Sequence, residues 1–280
     1  MSQTQQIPSI ELNDGVTIPQ LGFGVFQVPP EDTERVVSIA LETGYRHIDT
    51  AAAYRNEVGV GRAIAASGIP REELFITTKL WNDQQGRERT IEAFARSAEA
   101  LQLDVIDLYL IHWPIPMADR FVETWEAFAS LRADGRIRSM GVSNFQEAHL
   151  RRIVDEVGVT PSVNQVELHP YLTQEPLRAV HRELGIATEA WSPLAQGAVL
   201  GDPVITRIAA AHGKTPAQVV LRWHLQLGNI AIPKSVTAER IRENIELFDF
   251  ELAEEEIDAI SALNRDERTG PDPDSFSAGA

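Results

Sequence analysis

The sequence predicts an α/β protein folded as a (β/α)8 TIM barrel with an N-terminal β-hairpin and two extra helices. Short apolar β-like runs alternate with segments of helical periodicity along the chain, a pattern typical of parallel strands joined by helices. The chain has 280 residues, and α/β barrels of roughly 250 residues commonly form one domain. Eight repeats in this length favour a closed barrel over a doubly wound open sheet. We expect a single domain over residues 1–280.

The hairpin comes first. Ile10 and Leu12 precede the turn Asn13-Asp14-Gly15, and Val16 and Ile18 follow it, a spacing typical of two short paired strands. The predicted barrel strands are Leu21–Gly24, Tyr45–Asp49, Leu74–Lys79, Val105–His112, Ile137–Val142, Ser162–Glu167, Ala187–Trp191 and Asn229–Ile232.

A helix is predicted after each of these strands. Gly44, Gly68 and Gly135 end three of them, because glycine readily adopts the left-handed conformation that closes a helix. The predicted ranges are Glu31–Thr43, Asn56–Ser67, Arg87–Leu101, Asp119–Asp134, Gln146–Val157, Gln174–Leu184 and Pro216–Leu227, with a further helix after the eighth strand. Val204–His212 and Ala253–Leu263 exceed this series and are predicted as the two extra helices.

The composition excludes several classes of protein. The net charge of −16 opposes binding to nucleic acid and to anionic membranes, so we expect neither as a partner. No apolar run approaches the ~18 residues of a membrane span, and residues 1–6 lack the basic and apolar segments of a secretory signal. The chain has no cysteine, and its histidines show no metal-binding spacing. We therefore expect a cytoplasmic protein without a metal.

Lysine is rare in this sequence. Of the 25 basic residues, 22 are arginine and three are lysine, namely Lys79, Lys214 and Lys234. Because the chain builds its basic surface from arginine, each lysine needs an explanation of its own, although a surface lysine without function is one of them.

Polar groups follow the predicted strands at the end where barrel enzymes place their chemistry. Four of them are Asp49, Tyr54, Lys79 and His112. A free tyrosine, with a pKa of ~10, is a poor acid at neutral pH, and we expect the Lys79 ammonium to lower the pKa of Tyr54. Asp49 would hold that ammonium, and His112 would bind the oxygen of the reacting group. This set suits protonation of a carbonyl oxygen while a hydride adds to its carbon.

Structural interpretations exist for the same residues. Taken singly, Asp49 fits a turn, Tyr54 a packing contact and the Asp49–Lys79 pair a salt bridge, and only their convergence favours catalysis. His47 is interpreted as a core residue of the barrel. Trp125, Trp223 and His224 lie in helical patterns and are interpreted as packing residues.

Motifs of competing enzyme classes are absent. Gly22-Phe23-Gly24 and Gly59-Val60-Gly61 lack the third glycine of a dinucleotide-binding fingerprint. No tyrosine has a lysine four residues later, and the sequence contains neither a Gly-x-Ser-x-Gly elbow nor a P-loop. The sequence therefore predicts none of these enzyme classes.

Seven motifs in order resemble those of the aldo-keto reductases, and most closely the bacterial 2,5-diketo-gluconate reductase subgroup. The similarity extends from the hairpin turn to about Asn264. The motifs are Gly44-Tyr45-Arg46-His47-Ile48-Asp49-Thr50-Ala51, Tyr54 with Asn56-Glu57, Thr77-Thr78-Lys79-Leu80-Trp81, Leu108-Tyr109-Leu110-Ile111-His112-Trp113-Pro114, Gly141-Val142-Ser143-Asn144-Phe145, Asn164-Gln165 with Glu167-Leu168-His169-Pro170, and Ile232-Pro233-Lys234-Ser235.

The resemblance implies NADPH-dependent reduction of an aldehyde, dicarbonyl or keto-sugar such as 2,5-diketo-gluconate, with Tyr54 as general acid beside Asp49, Lys79 and His112. It also implies a cofactor site. Ser143, Asn144 and Gln165 would hold the nicotinamide carboxamide, Trp191 would stack on the ring, Ser192, Pro193 and Leu194 would line the pyrophosphate, Lys234, Ser235 and Arg240 would bind the 2′-phosphate, and Glu243 and Asn244 would contact the adenine.

The same resemblance implies a substrate pocket and a monomer. Phe26, Trp81, Trp113 and Trp191 would form the pocket wall, His112 would also contact the substrate, and residues 265–280 would cross the barrel mouth. Trp191 departs from the many relatives that have tyrosine there, and it agrees with the diketo-gluconate subgroup.

Two other classes of function remain open at this point. Lys79 at the end of a barrel strand could form a Schiff base in a lyase. Alternatively, the chain could be a non-catalytic subunit that binds NADPH.

Overall fold

The computed structural model describes residues 7–279, so residues 1–6, on which the expectation about a secretory signal depends, lie outside the described residues, as does residue 280. The hairpin is formed by β1 (Ser9–Glu11) and β2 (Thr17–Pro19), with Ile10 opposite Ile18. The barrel strands are β3 (Phe23–Gly24), β4 (His47–Asp49), β5 (Phe75–Leu80), β6 (Ile106–Ile111), β7 (Ile137–Ser143), β8 (Val163–Glu167), β9 (Ala187–Trp191) and β10 (Ile230–Ala231).

The sheet closes into a barrel. Strands β3 to β10 pair in chain order and all pairs are parallel. At the seam, Leu21 forms a bridge with Ala231, and the Gly24 amide donates to the Pro233 carbonyl over 3.1 Å. The first and eighth strands are shorter than predicted, because only isolated pairings join them across the seam. The predicted (β/α)8 fold is confirmed.

The helices follow the strands as predicted, and the extra helices are α7 and α10. Gly44 closes the first helix with a φ of +118°. The bounds are α1 (Pro30–Thr43), α2 (Glu57–Ser67), α3 (Arg87–Leu101), α4 (Phe121–Ala133), α5 (Glu147–Val157), α6 (Glu175–Leu184), α7 (Pro203–His212), α8 (Pro216–Gln226), α9 (Ala238–Glu243) and α10 (Glu254–Ser261).

The barrel interior has an apolar end and a polar end. Leu12 and Ile18 of the hairpin plug the N-terminal end, where they pack on inward side chains of the strands, namely Phe75, Leu108, Leu110, Val163 and Ile230. The second apolar layer lies between strands and helices and contains the fully buried Trp125 and Trp223. Because the hairpin and the helices cover the apolar surfaces, the C-terminal ends of the strands, which we call the rim, are left for polar side chains.

Within residues 7–279, no helix combines the length and the apolarity that a membrane span requires.

Candidate active site

Three neighbouring strand ends bring the four predicted catalytic residues together at the rim. Asp49 ends β4, Lys79 lies in β5, and His112 directly follows β6. Tyr54 lies in a short 3₁₀ turn, Ala52–Tyr54, that begins soon after β4. Three of the four, Asp49, Tyr54 and His112, line one cavity at the rim. Lys79 lies behind them and is hydrogen-bonded to Asp49 and Tyr54.

Lys79 is the centre of this group. Its side chain is 0% exposed, and its Nζ atom donates to Asp49 Oδ1 over 2.6 Å, to the Thr50 carbonyl over 2.9 Å and to Tyr54 Oη over 3.3 Å. An ammonium has three donors, so all are used. Because Tyr54 Oη accepts from Lys79, its own hydroxyl proton is free to point into the cavity.

The charges of the group follow from burial and pairing. Burial acts to lower the pKa of Lys79, but the charges and hydrogen bonds of Asp49 and Tyr54 together outweigh it, and the pKa lies above its ordinary value. Burial raises the pKa of Tyr54, and the opposing effect of Lys79 is smaller. Lys79 thus acts to lower the pKa of Tyr54, as expected, but desolvation of the phenolate dominates, so the pKa lies above its usual value. Tyr54 carries its proton at neutral pH.

His112 is a neutral imidazole. Burial, and then the charge of Lys79, hold the pKa of His112 well below its usual value. Its ring meets the Tyr54 ring edge-on, with centroids 5.7 Å apart. A neutral imidazole carries one N–H, so His112 can donate one hydrogen bond to an oxygen placed between the two rings.

The predicted nicotinamide residues are linked to the catalytic group by hydrogen bonds. Asn144 Nδ2 donates to the His112 carbonyl over 3.0 Å, and Trp191 Nε1 donates to Asn144 Oδ1 over 2.8 Å. Ser143 Oγ donates to the Gln165 carbonyl over 2.8 Å, and Gln165 Nε2 donates to Asp49 Oδ2 over 2.8 Å. These bonds hold Asn144, Trp191 and Gln165 at the cavity wall before any ligand binds.

The predicted phosphate residues lie along the same cavity. Lys234 and Arg240 are exposed, and both line the cavity together with the buried Ser235. No carboxylate of residues 7–279 lies within 4.0 Å of either cation. Two basic side chains without acidic partners, beside a serine hydroxyl, match the chemistry of a phosphate ester. The pyrophosphate residues Ser192, Pro193 and Leu194 and the adenine residues Glu243 and Asn244 also line the cavity.

The size of the cavity agrees with a dinucleotide. Its volume is about 1640 Å³, which exceeds the ~300–1,000 Å³ of sites for drug-sized ligands. The residues present therefore fit NADPH, with room left for a small substrate beside Tyr54.

Comparison with known proteins identifies the family of this chain. The profile described as the aldo/keto reductase family matches residues 20–265. An aldo-keto reductase from Mycolicibacterium smegmatis is 61% identical over 96% of this chain and 98% of its own length. The chain belongs to the aldo/keto reductase family. A relative named methylglyoxal reductase DkgA, from Yersinia pestis, is 54% identical over 96% of this chain and 97% of its own length.

The cofactor is supported by a solved structure of the family. A variant of the protein Gox0644, determined in complex with NADPH, is 48% identical, covers 98% of this chain and 100% of its own, and superposes with a TM-score of 0.94. The predicted family, its NADPH-dependent oxidoreductase activity and NADPH as cofactor are confirmed. The roles of individual site residues, the single domain, the monomeric state and the cytoplasmic location stay predictions.

Because the chain belongs to this family, the two alternative functions, a Schiff-base lyase and a non-catalytic subunit that binds NADPH, are set aside. A Schiff-base lyase needs an unprotonated lysine as nucleophile. Lys79 instead donates its three hydrogen bonds to Asp49, Thr50 and Tyr54. Because its pKa is raised, it stays an ammonium. The chain is an oxidoreductase of this family, so the alternative of a non-catalytic subunit is set aside as well.

No metal group is seen in the part of the chain that the structure describes. There, no three His, Cys, Asp or Glu side chains are placed to hold an ion. The expectation that the protein needs no metal stays a prediction.

Aromatic side chains surround the catalytic end of the cavity. Phe26 packs on Tyr54, with ring centroids 5.1 Å apart, and Trp81 meets His112 at 5.1 Å. Trp113 packs on Phe276, a residue of the C-terminal tail, at 4.3 Å. The predicted wall residues thus lie together, and the tail contributes an aromatic ring that sequence reasoning missed.

The tail is attached to the rim by Glu167. This carboxylate accepts hydrogen bonds from the Thr269 amide, the Thr269 hydroxyl and the Gly270 amide, and also contacts His169 Nε2 at 3.0 Å. Burial acts to raise the pKa of Glu167, but the bonds from His169 and Thr269 outweigh it and lower the pKa. Glu167 lies in one of the family motifs, and no role was predicted for it from the sequence. In the structure it is the residue that holds the tail.

Two interior residues had a weaker signal in the sequence. His224, interpreted as a packing residue, is buried and hydrogen-bonds the Pro193 carbonyl at 3.1 Å, so it also supports the predicted pyrophosphate loop. His47 is a core residue, as interpreted, and contacts Thr77 Oγ1 at 3.1 Å.

Glu189, a buried residue of the barrel interior, was not predicted to have any role. A charged residue within the apolar strand β9 was the available signal.

Proposed function

We propose that this chain reduces small aldehydes and dicarbonyl compounds to alcohols with NADPH, and that Tyr54 is the proton donor. The observation that carries the proposal is the bond from Lys79 Nζ to Tyr54 Oη, 3.3 Å long, because it leaves the tyrosine proton available to the cavity. The proposal agrees with the activity class of the family and with the name of the methylglyoxal reductase relative.

The chain's own residues bind and protonate the substrate oxygen. The neutral His112 donates one hydrogen bond to the carbonyl oxygen, and Tyr54 donates a second. Bound NADPH supplies the hydride. As negative charge grows on the oxygen, Tyr54 transfers its proton, and the nearby Lys79 ammonium stabilises the phenolate that remains. Asp49 keeps that ammonium charged and in place.

The cavity wall favours a small uncharged dicarbonyl over an anionic keto-sugar. Phe26, Trp81 and Trp113 line the cavity with aromatic surface at the end where Tyr54 and His112 lie, and Phe276 packs on Trp113 and lines the same cavity. These rings offer contact area but no positive charge for a carboxylate, and Arg55, a cation that also lines the cavity, is exposed to solvent. We therefore expect kcat/KM for methylglyoxal to exceed that for 2,5-diketo-gluconate.

The test is steady-state oxidation of NADPH with methylglyoxal, glyoxal and 2,5-diketo-gluconate. Tyr54→Phe should lower kcat by ~10²–10⁴, the usual cost of losing a general acid, while NADPH binding stays near that of the wild type. Tyr109→Phe is the matched control, since this buried hydroxyl has no hydrogen-bond partner in the described chain and lies outside the cavity.

Two results would contradict the proposal. Absence of turnover with all carbonyl substrates would exclude the activity for this chain. If Tyr54→Phe kept more than about half of the wild-type kcat with a substrate whose chemical step limits turnover, Tyr54 would not be the acid, because that loss is far below the ~10² expected.

A further inference from the structure

Glu189 is a carboxylate buried inside the barrel beneath the cofactor cavity. It lies in the middle of β9, and its side chain is 0% exposed. Within residues 7–279, no lysine or arginine lies within 4.0 Å of it, and the nearest titratable partner is His47 Nε2 at 3.7 Å. A buried acid without a cation is costly unless it has a neutral partner or keeps its proton.

Gln165 is that partner. Its Nε2 atom donates to Glu189 Oε2 over 2.9 Å and to Asp49 Oδ2 over 2.8 Å. A side-chain amide carries two N–H donors on one nitrogen, so both hydrogens of Gln165 are directed at carboxyl groups in the interior. The carbonyl oxygen of the same amide is the end left for the cavity, which Gln165 lines.

Burial raises the pKa of both carboxyl groups, but of the two only Asp49 is paired with a lysine or arginine of residues 7–279. Lys79 neutralises Asp49 over 2.6 Å, and it makes no ion pair with Glu189. Burial, followed by the negative charge of Asp49, raises the pKa of Glu189 to about 8. Burial lowers the pKa of His47 to about 3, so His47 supplies no positive charge. Burial therefore favours the protonated form of Glu189, whose Oε2 atom accepts from Gln165.

We propose that Glu189 is a positioning residue, which takes the second N–H of Gln165 and so presents only the amide oxygen to the carboxamide of NADPH. Asp49 alone would hold one hydrogen and leave the other free to turn toward the cavity. With both held, the site accepts a hydrogen bond from a carboxamide NH₂ group and offers no donor to a carboxylate. The inference rests on the proposed nicotinamide subsite of the proposed function.

Binding of three nucleotides tests this role without any turnover. NADP⁺ has the carboxamide, nicotinic acid adenine dinucleotide phosphate has a carboxylate in its place, and 2′-phospho-ADP-ribose lacks the ring. The wild type should bind NADP⁺ at least about tenfold more tightly than the acid analogue, since one hydrogen bond is replaced by repulsion between two acceptors. Titration calorimetry measures all three dissociation constants.

Glu189→Met removes the acceptor at similar volume and should lower that preference at least about fivefold, because a Gln165 N–H becomes available to the analogue's carboxylate. Glu189→Leu is a second variant without an acceptor, should Glu189→Met not fold. Glu189→Gln keeps an acceptor oxygen and should retain the preference within about twofold. Binding of 2′-phospho-ADP-ribose should stay within about twofold throughout, because it makes no contact at Gln165.

An unchanged preference in Glu189→Met and Glu189→Leu would overturn the proposal, and so would a Glu189→Gln variant that loses as much as these two. A wild type that reduces no carbonyl would overturn the proposed function, and the role of Glu189 would still be supported if Glu189→Met lowered the wild-type preference for NADP⁺.

Discussion

Lys79 and Lys234 bring the same ammonium group to two ends of one cavity in opposite surroundings. Lys79 is 0% exposed and holds Asp49 at 2.6 Å, whereas Lys234 is exposed and has no carboxylate of residues 7–279 within 4.0 Å. The third lysine, Lys214, forms a surface ion pair with Asp249 at 2.7 Å and lies outside the cavity.

The difference shows two uses of one charge. In the interior, where charges interact strongly, an ammonium must be paired, and it acts on the protonation of its neighbour. At the surface, an unpaired ammonium costs little and is available to attract an anionic ligand, an effect that salt screens. Replacing each lysine should therefore change different measurements.

The largest expected effect is that of Lys79→Met. Without the ammonium, the phenolate of Tyr54 loses its stabilisation, and we expect kcat to fall at least about a hundredfold. The free energy of unfolding should fall by up to ~3–5 kcal/mol, because Asp49 is left buried without its cation. Lys234→Met should leave kcat at saturating NADPH within about twofold and the unfolding free energy within ~0.5 kcal/mol.

A double variant separates catalysis from stability at Lys79. Adding Asp49→Asn to Lys79→Met removes the unpaired charge and should recover most of the unfolding free energy, since neutral replacement of a buried pair is often tolerated. The activity should stay lost. Normal turnover in a folded double variant would show that the Lys79–Asp49 pair is only structural.

A smaller effect is expected at the exposed end of the cavity. Arg240→Ala should weaken NADPH binding at least about tenfold, since each charge-assisted bond to the 2′-phosphate contributes ~1.5–3 kcal/mol. NADH, which lacks that phosphate, should be affected much less. The loss for NADPH should shrink as salt is added. Fluorescence titration with both cofactors measures these changes.

Arg242→Ala is the control for this prediction. Arg242 is exposed on the same helix, α9, but does not line the cavity, so its removal changes the net charge equally without touching the site. Equal affinity of the wild-type protein for NADPH and NADH would show that Arg240 and Lys234 do not bind the 2′-phosphate.

The smallest expected effect is that of pH on kcat, which depends on the protonation of His112 and Tyr54 at the buried end of the cavity. His112 stays neutral because burial and Lys79 lower its pKa, and Tyr54 stays protonated because burial raises its pKa. We therefore expect kcat at saturating substrate to change less than about twofold between about pH 5.5 and 7.5. A single step near pH 6.5, the usual pKa of histidine, would mean that His112 titrates during turnover.

The barrel could be predicted because its signals are local. Alternating apolar runs, glycines that close helices and the Asn13-Asp14-Gly15 turn act over a few residues, and they predicted the strands, the extra helices and the hairpin. The same order placed Asp49, Tyr54, Lys79 and His112 after neighbouring strands, so their convergence followed from the topology alone.

The properties of the site could not be predicted in this way, because they depend on groups far apart in the chain. Gln165 and Asp49 are 116 residues apart in sequence, and Thr269 and Glu167 are 102 apart. No local pattern records that such groups meet. The hydrogen bond from Gln165 to Glu189 and the contact of Phe276 with Trp113 are therefore visible only in the folded chain.

The sequence by itself determined which elements form, in what order, and which side chains reach the rim. Only the tertiary structure decided their charges. Burial keeps the pKa of Tyr54 above its usual value although Lys79 lies beside it, and it raises the pKa of Glu189, which has no cation of its own. The physical reason is that desolvation is set by everything packed around a group, and packing joins residues that the sequence keeps apart.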